Sequence, residues 1–230
     1  MGKILEKVHE VSYPLLQVAL DLTNIEEALK LGANLSSLGV DIVEVGTPLI
    51  KAEGVRSVAL LKSISRNSFI LADMKTADVG GLETELVWKA GADATTVLAS
   101  SDDEVIQAAV SKGEELGVDV IVDTVGLKDV ESRVKEVIRL GARIINIHVG
   151  IDVQRTRGMT AADVAVKYAG LIRENPDVIF SISGGVKLGD LDRLSGLGFK
   201  IIIVGSAITK SPNPESTART FLKHLRRSTL

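Results

Sequence analysis

Three features of the sequence predict a single (β/α)8 TIM barrel. Short apolar runs alternate with helical stretches eight times, at a spacing of about 25 residues. Glycine recurs just past a helix and directly before a strand, in Leu38-Gly39-Val40, Ala90-Gly91-Ala92, Leu116-Gly117-Val118, Leu140-Gly141-Ala142 and Leu197-Gly198-Phe199. That is the usual helix C-cap. Hydrophobic residues make up 45% of the chain but aromatics only 3%, so the core must be Val, Ile, Leu and Ala. Such a composition suits parallel strands covered by helices. A doubly wound open sheet shares the alternation, but it rarely needs eight such regular units.

The elements follow in order. Residues 1–14 form a short N-terminal arm. Ile4, Leu5, Val8 and Val11 fall on one helical face that ends before Pro14. This reads as a helical extension that packs on the domain, with no part in function. The barrel occupies 15–230. Its first strand, 15–21, ends in Asp21, and Thr23 or Asn24 caps the next helix, with Glu26 and Glu27 in its first turn. The second strand is 41–46, followed by one helix over 50–63. The third strand, 69–75, leads to a helix over 82–90. The fourth is 94–98, and Ser101-Asp102-Asp103-Glu104 opens a helix to 116. The fifth strand is 118–123, with a helix to 140, and the sixth is 143–148. A longer gap with Gly150 and Gly158 precedes a helix over 161–174. The seventh strand is 178–182, followed by a short helix over 188–197. The eighth is 200–204, and a helix over 214–226 closes the chain with Lys223, His224, Arg226 and Arg227 in its last turns.

Several function classes are excluded. Net charge is −3 with no charged tail, so nothing points to nucleic acid. There is no cysteine, hence no disulfide, thiolate nucleophile or Cys-zinc site. Residues 1–14 have no continuous apolar stretch, so no secretory signal is expected there. No run of about eighteen apolar residues exists, so no membrane span is expected. A cytoplasmic location fits these readings.

In a barrel the active site is built at the C-terminal strand ends. Asp73-Met74-Lys75-Thr76-Ala77-Asp78 leaves the third strand there. On an extended chain Asp73 and Lys75 point to the same side, with Asp78 beyond the strand end. A lone motif of this kind could be a surface ion pair. Here, however, Asp21, Glu44, Asp73, Lys75, Asp78, Asp123 and His148 all fall at strand ends. Seven such groups on one mouth are not explained by helix caps. Ser183-Gly184-Gly185 and Gly205-Ser206 follow strands seven and eight, the recurrent phosphate position of this fold. Glycines there let backbone N–H groups approach an anion, and a short helix after strand eight would point its N-terminus at it. Glu44 and Asp73, on adjacent strands, are hard oxygen ligands suited to Mg²⁺. Lys75 and His148 are candidates for proton transfer or for stabilising negative charge. His9 and His224 lie in terminal helices away from the mouth.

These residues resemble the orotidine-5′-monophosphate decarboxylase superfamily, and within it the hexulose-phosphate synthase branch. The resemblance runs from about residue 16 to the end. It rests on Gln17-Val18-Ala19-Leu20-Asp21, Glu44-Val45-Gly46-Thr47-Pro48-Leu49-Ile50, the Asp73–Asp78 motif, Thr96-Val97-Leu98 with Asp102-Asp103, His148-Val149-Gly150-Ile151-Asp152-Val153-Gln154 and the two glycine loops. Orotidylate decarboxylases carry a lysine on strand two, in a metal-free charge array. Glu44 stands at that place, and an acid there repels its neighbours unless a metal enters. The sister 3-keto-L-gulonate-6-phosphate decarboxylases keep the glutamate but carry an arginine three residues after the histidine, where this chain has Ile151.

The resemblance implies a reversible aldol condensation of formaldehyde with D-ribulose 5-phosphate. It implies Mg²⁺ on Glu44 and Asp73, charge stabilisation by Lys75 and substrate hydroxyls on Asp21 and Asp123. Ser183, Gly184, Gly185, Gly205 and Ser206 would hold the phosphate. His148 is the candidate proton carrier. The family forms homodimers with shared active sites, which would send Asp78 into the neighbouring subunit's site. Decarboxylation on the same scaffold, or sugar-phosphate binding without turnover, remain the alternatives.

Overall fold

The computed structural model describes residues 2–227. Eight parallel strands close into a barrel in sequence order: β1 (Leu15–Leu20), β2 (Ile42–Val45), β3 (Phe69–Thr76), β4 (Ala94–Leu98), β5 (Asp119–Asp123), β6 (Ile144–His148), β7 (Ile179–Ser183) and β8 (Ile201–Val204). β1 pairs with both β2 and β8, which completes the circle. The helices surround it: α1 (Lys3–Glu10), α2 (Ile25–Ser37), α3 (Thr47–Glu53), α4 (Arg56–Ile64), α5 (Gly80–Lys89), α6 (Asp103–Leu116), α7 (Val130–Arg139), α8 (Ile151–Arg157), α9 (Ala161–Ala165), α10 (Ala169–Glu174), α11 (Leu191–Leu194), α12 (Ser206–Thr209) and α13 (Pro214–Arg227). The (β/α)8 reading is correct. No helix among the described residues is long and apolar enough to cross a membrane.

Alternation along each strand sorts side chains into two sets. Leu16, Val18, Val43, Val45, Ile70, Val120, Val122, Ile145, Phe180 and Ile202 belong to one large core cluster that also takes in helix residues such as Leu35, Leu61, Val134 and Phe221. A second cluster unites residues of the opposite parity: Leu15, Ile42, Leu71, Ala94, Ile121, Ile144, Ile179 and Ile201. It fills the N-terminal half of the barrel interior. Ile4 and Val8 of α1 join this second cluster, so the arm packs on the barrel floor. Asp119, from the start of β5, accepts from the N–H groups of Ile4 (2.8 Å) and Leu5 (3.3 Å) at the open N-terminus of α1. Lys3 Nζ lies 2.8 Å from Asp93.

Glycines 39, 91, 117, 141 and 198 all have positive φ, between 70° and 99°, as a left-handed C-cap requires. Asn24 caps α2 through Oδ1, 2.9 Å from Glu27 N. Four helix expectations need correction. The helix expected over 188–197 is a 3₁₀ turn, Leu188–Asp190, followed by α11, which ends at Leu194. The helix expected over 50–63 is two helices, broken at Gly54 with φ +72°. The helix expected over 161–174 is α9 and α10 joined by a 3₁₀ turn, Val166–Tyr168. The gap after strand six holds a helix, α8, between Gly150 and Gly158. None of its residues is buried, so no apolar periodicity marks it.

Candidate active site

Inward-facing residues turn polar in the C-terminal half of the barrel. Gln17, Glu44, Asp73, Thr96, Asp123, Asn146, Ser181 and Ser183 are all buried. They continue the parity of the apolar floor beneath them, so one alternation supplies both a packed base and a reactive ceiling.

Asp73 is the hub. It is 3% exposed. Its carboxylate accepts from Thr47 Oγ1 and Thr96 Oγ1, each at 2.7 Å, and from Lys75 Nζ. Lys75 does reach Asp73, but not along a regular strand as expected. The β3–β4 register shifts between Ala72 and Thr76, and Lys75 has φ +48°. This left-handed conformation is costly for a lysine. Its N–H is held by Thr96 Oγ1 at 2.8 Å. Burial would lower the Lys75 pKa, but Asp73, Asp123 and Glu44 outweigh it and hold the ammonium above its usual range.

Glu44 is 6% exposed and accepts from Gln17 Nε2 at 2.6 Å. Burial, then Asp73 and Asp21, push its carboxyl well above the usual range. Asp21 sits higher and is exposed to solvent. A side chain at Gly46 would collide with its Oδ1, and one at Gly205 would lie 3.5 Å from its Oδ2. Gly46 thus makes room for that carboxylate, while the Gly205 position lies at ordinary contact distance from it. Incomplete hydration and Asp73 raise the Asp21 pKa, against the pull of Lys75, His148 and Lys210.

Across the mouth, His148 Nδ1 lies 2.8 Å and 3.0 Å from the two oxygens of Asp123. Burial opposes the Asp123 charge, yet His148, Lys75 and the Val125 N–H (2.8 Å) together hold its carboxyl below the usual range. An ionised acceptor facing Nδ1 requires a proton there, leaving Nε2 as the free ring nitrogen. Asn146 Nδ2 adds a third contact to Asp123, at 3.3 Å. Both Asp123 oxygens face donors within the protein, and the His148 ring is held against them.

The glycine loops crown β7 and β8, which are neighbours. Gly184 and Gly185 have φ +112° and +76°, a region that favours glycine. A Cβ at Gly184 would collide with the Val149 carbonyl oxygen. Gly205 precedes α12 and Ser206 begins it. Asp78 stands apart: it is exposed, and its Oδ1 accepts from the Val79 N–H at 2.7 Å. A separate cleft of about 230 Å³, lined by Pro14, Leu194, Phe199 and Leu225 among others, contains no carboxylate.

Sequence reasoning does not single out Asn146 or Ser181, and it includes Gln17, Thr47 and Thr96 only within motifs. Gln17, Thr96, Asn146 and Ser181 share the inward parity of the named acids, and that is the signal that finds them.

The Orotidine 5'-phosphate decarboxylase / HUMPS family model matches residues 14–221. The chain belongs to this family. Within the family, it is 38% identical over 204 residues to a 3-hexulose-6-phosphate synthase of Mycobacterium gastri, covering 89% of this chain and 96% of that one. A 3-hexulose-6-phosphate synthase structure from Salmonella typhimurium superposes with a TM-score of 0.86 at 32% identity, over 93% of this chain and 99% of that one. A ligand-bound structure of KGPDC from Streptococcus mutans superposes equally well, at 0.86, with 26% identity over 94% and 99% of the two chains.

The donor set at the mouth suits a dication. Four carboxyl groups, Asp21, Glu44, Asp73 and Asp123, surround one ammonium, Lys75. Among the described residues no three or more acidic or histidine side chains converge on one metal position. Two carboxylates with the remaining positions left to water and substrate match the habit of Mg²⁺.

Proposed function

We propose that this chain catalyses the Mg²⁺-dependent, reversible aldol condensation of formaldehyde with D-ribulose 5-phosphate to D-arabino-3-hexulose 6-phosphate, the reaction of 3-hexulose-6-phosphate synthases. One observation carries this reading: Glu44 is buried beside Asp73, in a mouth with more negative than positive charge. Ile151 favours the synthase over the decarboxylase branch, since an apolar side chain cannot serve as the arginine does there.

Glu44 and Asp73 would hold Mg²⁺, which when bound polarises the substrate oxygens and offsets the carboxylate charge. The glycine loops, through Gly184, Gly185, Gly205 and Ser206 with the Ser183 hydroxyl, anchor the phosphate. Asp21 holds a substrate hydroxyl from the rim. His148 Nε2 takes a proton from carbon 1 of the ketose, while Asp123 keeps Nδ1 in place. Lys75 faces the oxygen on which negative charge develops. The enediolate electron pair then forms a carbon–carbon bond to formaldehyde. The formaldehyde carbonyl becomes an alkoxide, which takes back the proton from His148.

The working form is a homodimer in the cytoplasm, with Asp78 reaching the neighbouring mouth. Val79, Leu82 and Leu86 support this, being 51%, 56% and 43% exposed in and just before α5. The test is a side-by-side assay with Mg²⁺: formaldehyde consumption with D-ribulose 5-phosphate, and CO₂ release from 3-keto-L-gulonate 6-phosphate and from orotidylate. The synthase reading requires the highest kcat/KM for the first. Dominant CO₂ release assigns a decarboxylase, and binding of the sugar phosphate without any turnover assigns a binding protein.

A further inference from the structure

One buried side chain touches both halves of the proposed chemistry. Asn146 lies on β6, two residues before His148, and is 4% exposed. Its Nδ2 is 3.3 Å from Asp123 Oδ2 and 2.9 Å from Ser183 Oγ. Its Oδ1 accepts from Ser181 Oγ at 3.2 Å. Asp123 fixes which way the amide points, because an ionised carboxylate only accepts, so the NH₂ group must face it. Both amide protons are then used, one on Asp123 and one on Ser183. Ser183 Oγ becomes an acceptor toward Asn146, which leaves its own proton free to be donated into the mouth.

We propose that Asn146 is a positioning residue of the proton-transfer site, tying the Asp123–His148 pair to Ser183 at the phosphate loop. The inference rests on His148 as the proton carrier. A shorter apolar side chain at 146 would leave Asp123 free to turn and His148 free to follow. It would also let the Ser183 hydroxyl turn its proton away from the mouth. Among the described residues no other side chain is hydrogen-bonded to both Asp123 and Ser183. Rigid placement of the base and of the phosphate anchor are thereby coupled through one amide, buried where its hydrogen bonds are strong and costly to leave unmade.

The test is exchange of the carbon 1 proton of D-ribulose 5-phosphate in D₂O, followed by NMR without formaldehyde. The proteins are wild type, Asn146→Ala, His148→Gln and the double variant, each with Mg²⁺. Asn146→Ala is expected to slow exchange about 10- to 100-fold, the cost of a misplaced base. At saturating D-ribulose 5-phosphate, where the Ser183 anchor does not limit the rate, the same change in the His148→Gln background is expected to alter exchange by less than about twofold, because the base it positions is gone. A wild-type rate for Asn146→Ala overturns the inference. So does an equal loss in both backgrounds, which marks a purely structural role. If Asn146→Ala does not fold, Asn146→Ser, too short to bridge both partners, takes its place with the same outcomes. Wild-type exchange by His148→Gln is a different result, and it removes His148 from the mechanism as well.

Discussion

Replacing Lys75 with methionine removes a charge and keeps most of the stem. The pair it breaks is largely buried: the Lys75 and Asp73 side chains are 25% and 5% exposed. Removing one partner of a fully buried pair costs about 3–5 kcal/mol. Two features reduce that figure. A quarter of the lysine side chain reaches water, which screens the interaction. Asp73 also keeps its donors Thr47 and Thr96, both at 2.7 Å. The expected loss is therefore about 2 kcal/mol, seen as a fall in Tm of about 4–8 °C for a chain of this size. The backbone adds nothing, because φ +48° costs methionine as much as lysine. Turnover should fall about 100- to 1,000-fold, as for loss of a group facing developing charge, while binding of inorganic phosphate is retained. Mg²⁺ should raise the Tm of the variant more than that of wild type, since the dication restores positive charge at Asp73. A Tm within about 1 °C of wild type, with kcat within about twofold, would refute the role given to Lys75.

Glu44→Gln tests the crowded carboxylates. The folded chain binds the Glu44 proton more tightly than the unfolded chain, so this group costs stability as pH rises above its ordinary value of 4.5. In EDTA, Glu44→Gln should therefore be more stable than wild type at pH 7, with the gap closing toward pH 4, and it should need far more Mg²⁺ for activity. Thermal melts across pH decide this, and a less stable variant at pH 7 contradicts it. Gly185→Ala combines φ +76° with a Cβ that collides with Gln154 Oε1. A cost of about 1–2 kcal/mol falling on the phosphate loop should raise KM for the sugar phosphate about tenfold; an unchanged KM removes that loop from the site. Ile4→Ala, at a residue with no exposed surface, should cost about 2–5 kcal/mol and leave kcat at 25 °C unchanged. A drop in kcat without loss of stability would give the arm a role in function.

The barrel is legible because its signals are local and repeat. Each strand is a short run rich in Leu, Ile, Val, Ala or Thr, and each of the five glycine-marked helix ends has the positive φ that such a cap needs. The acids and bases are legible because charge at a strand end is rare without a use. Less visible are the uncharged polar residues. Asn146 and Thr96 carry no charge and sit among apolar neighbours, so only their inward parity sets them apart. The bulge at Lys75 is hidden for another reason. A lysine with positive φ has no compositional signature, and it depends on Thr96 from the neighbouring strand. The helix over Ile151–Arg157 is hidden because it buries nothing. The contact between Asp123 and His148 is hidden because the two lie 25 residues apart, on neighbouring strands.

The most direct test is formaldehyde consumption in the presence of D-ribulose 5-phosphate, measured with Mg²⁺ and again with EDTA. Rapid loss of formaldehyde that stops in EDTA and returns with added Mg²⁺ is the predicted result. It would establish the aldol reaction and the metal requirement of the Glu44–Asp73 site together. No loss of formaldehyde under either condition would contradict the synthase assignment. Loss that is indifferent to EDTA would keep the reaction and remove the metal from it.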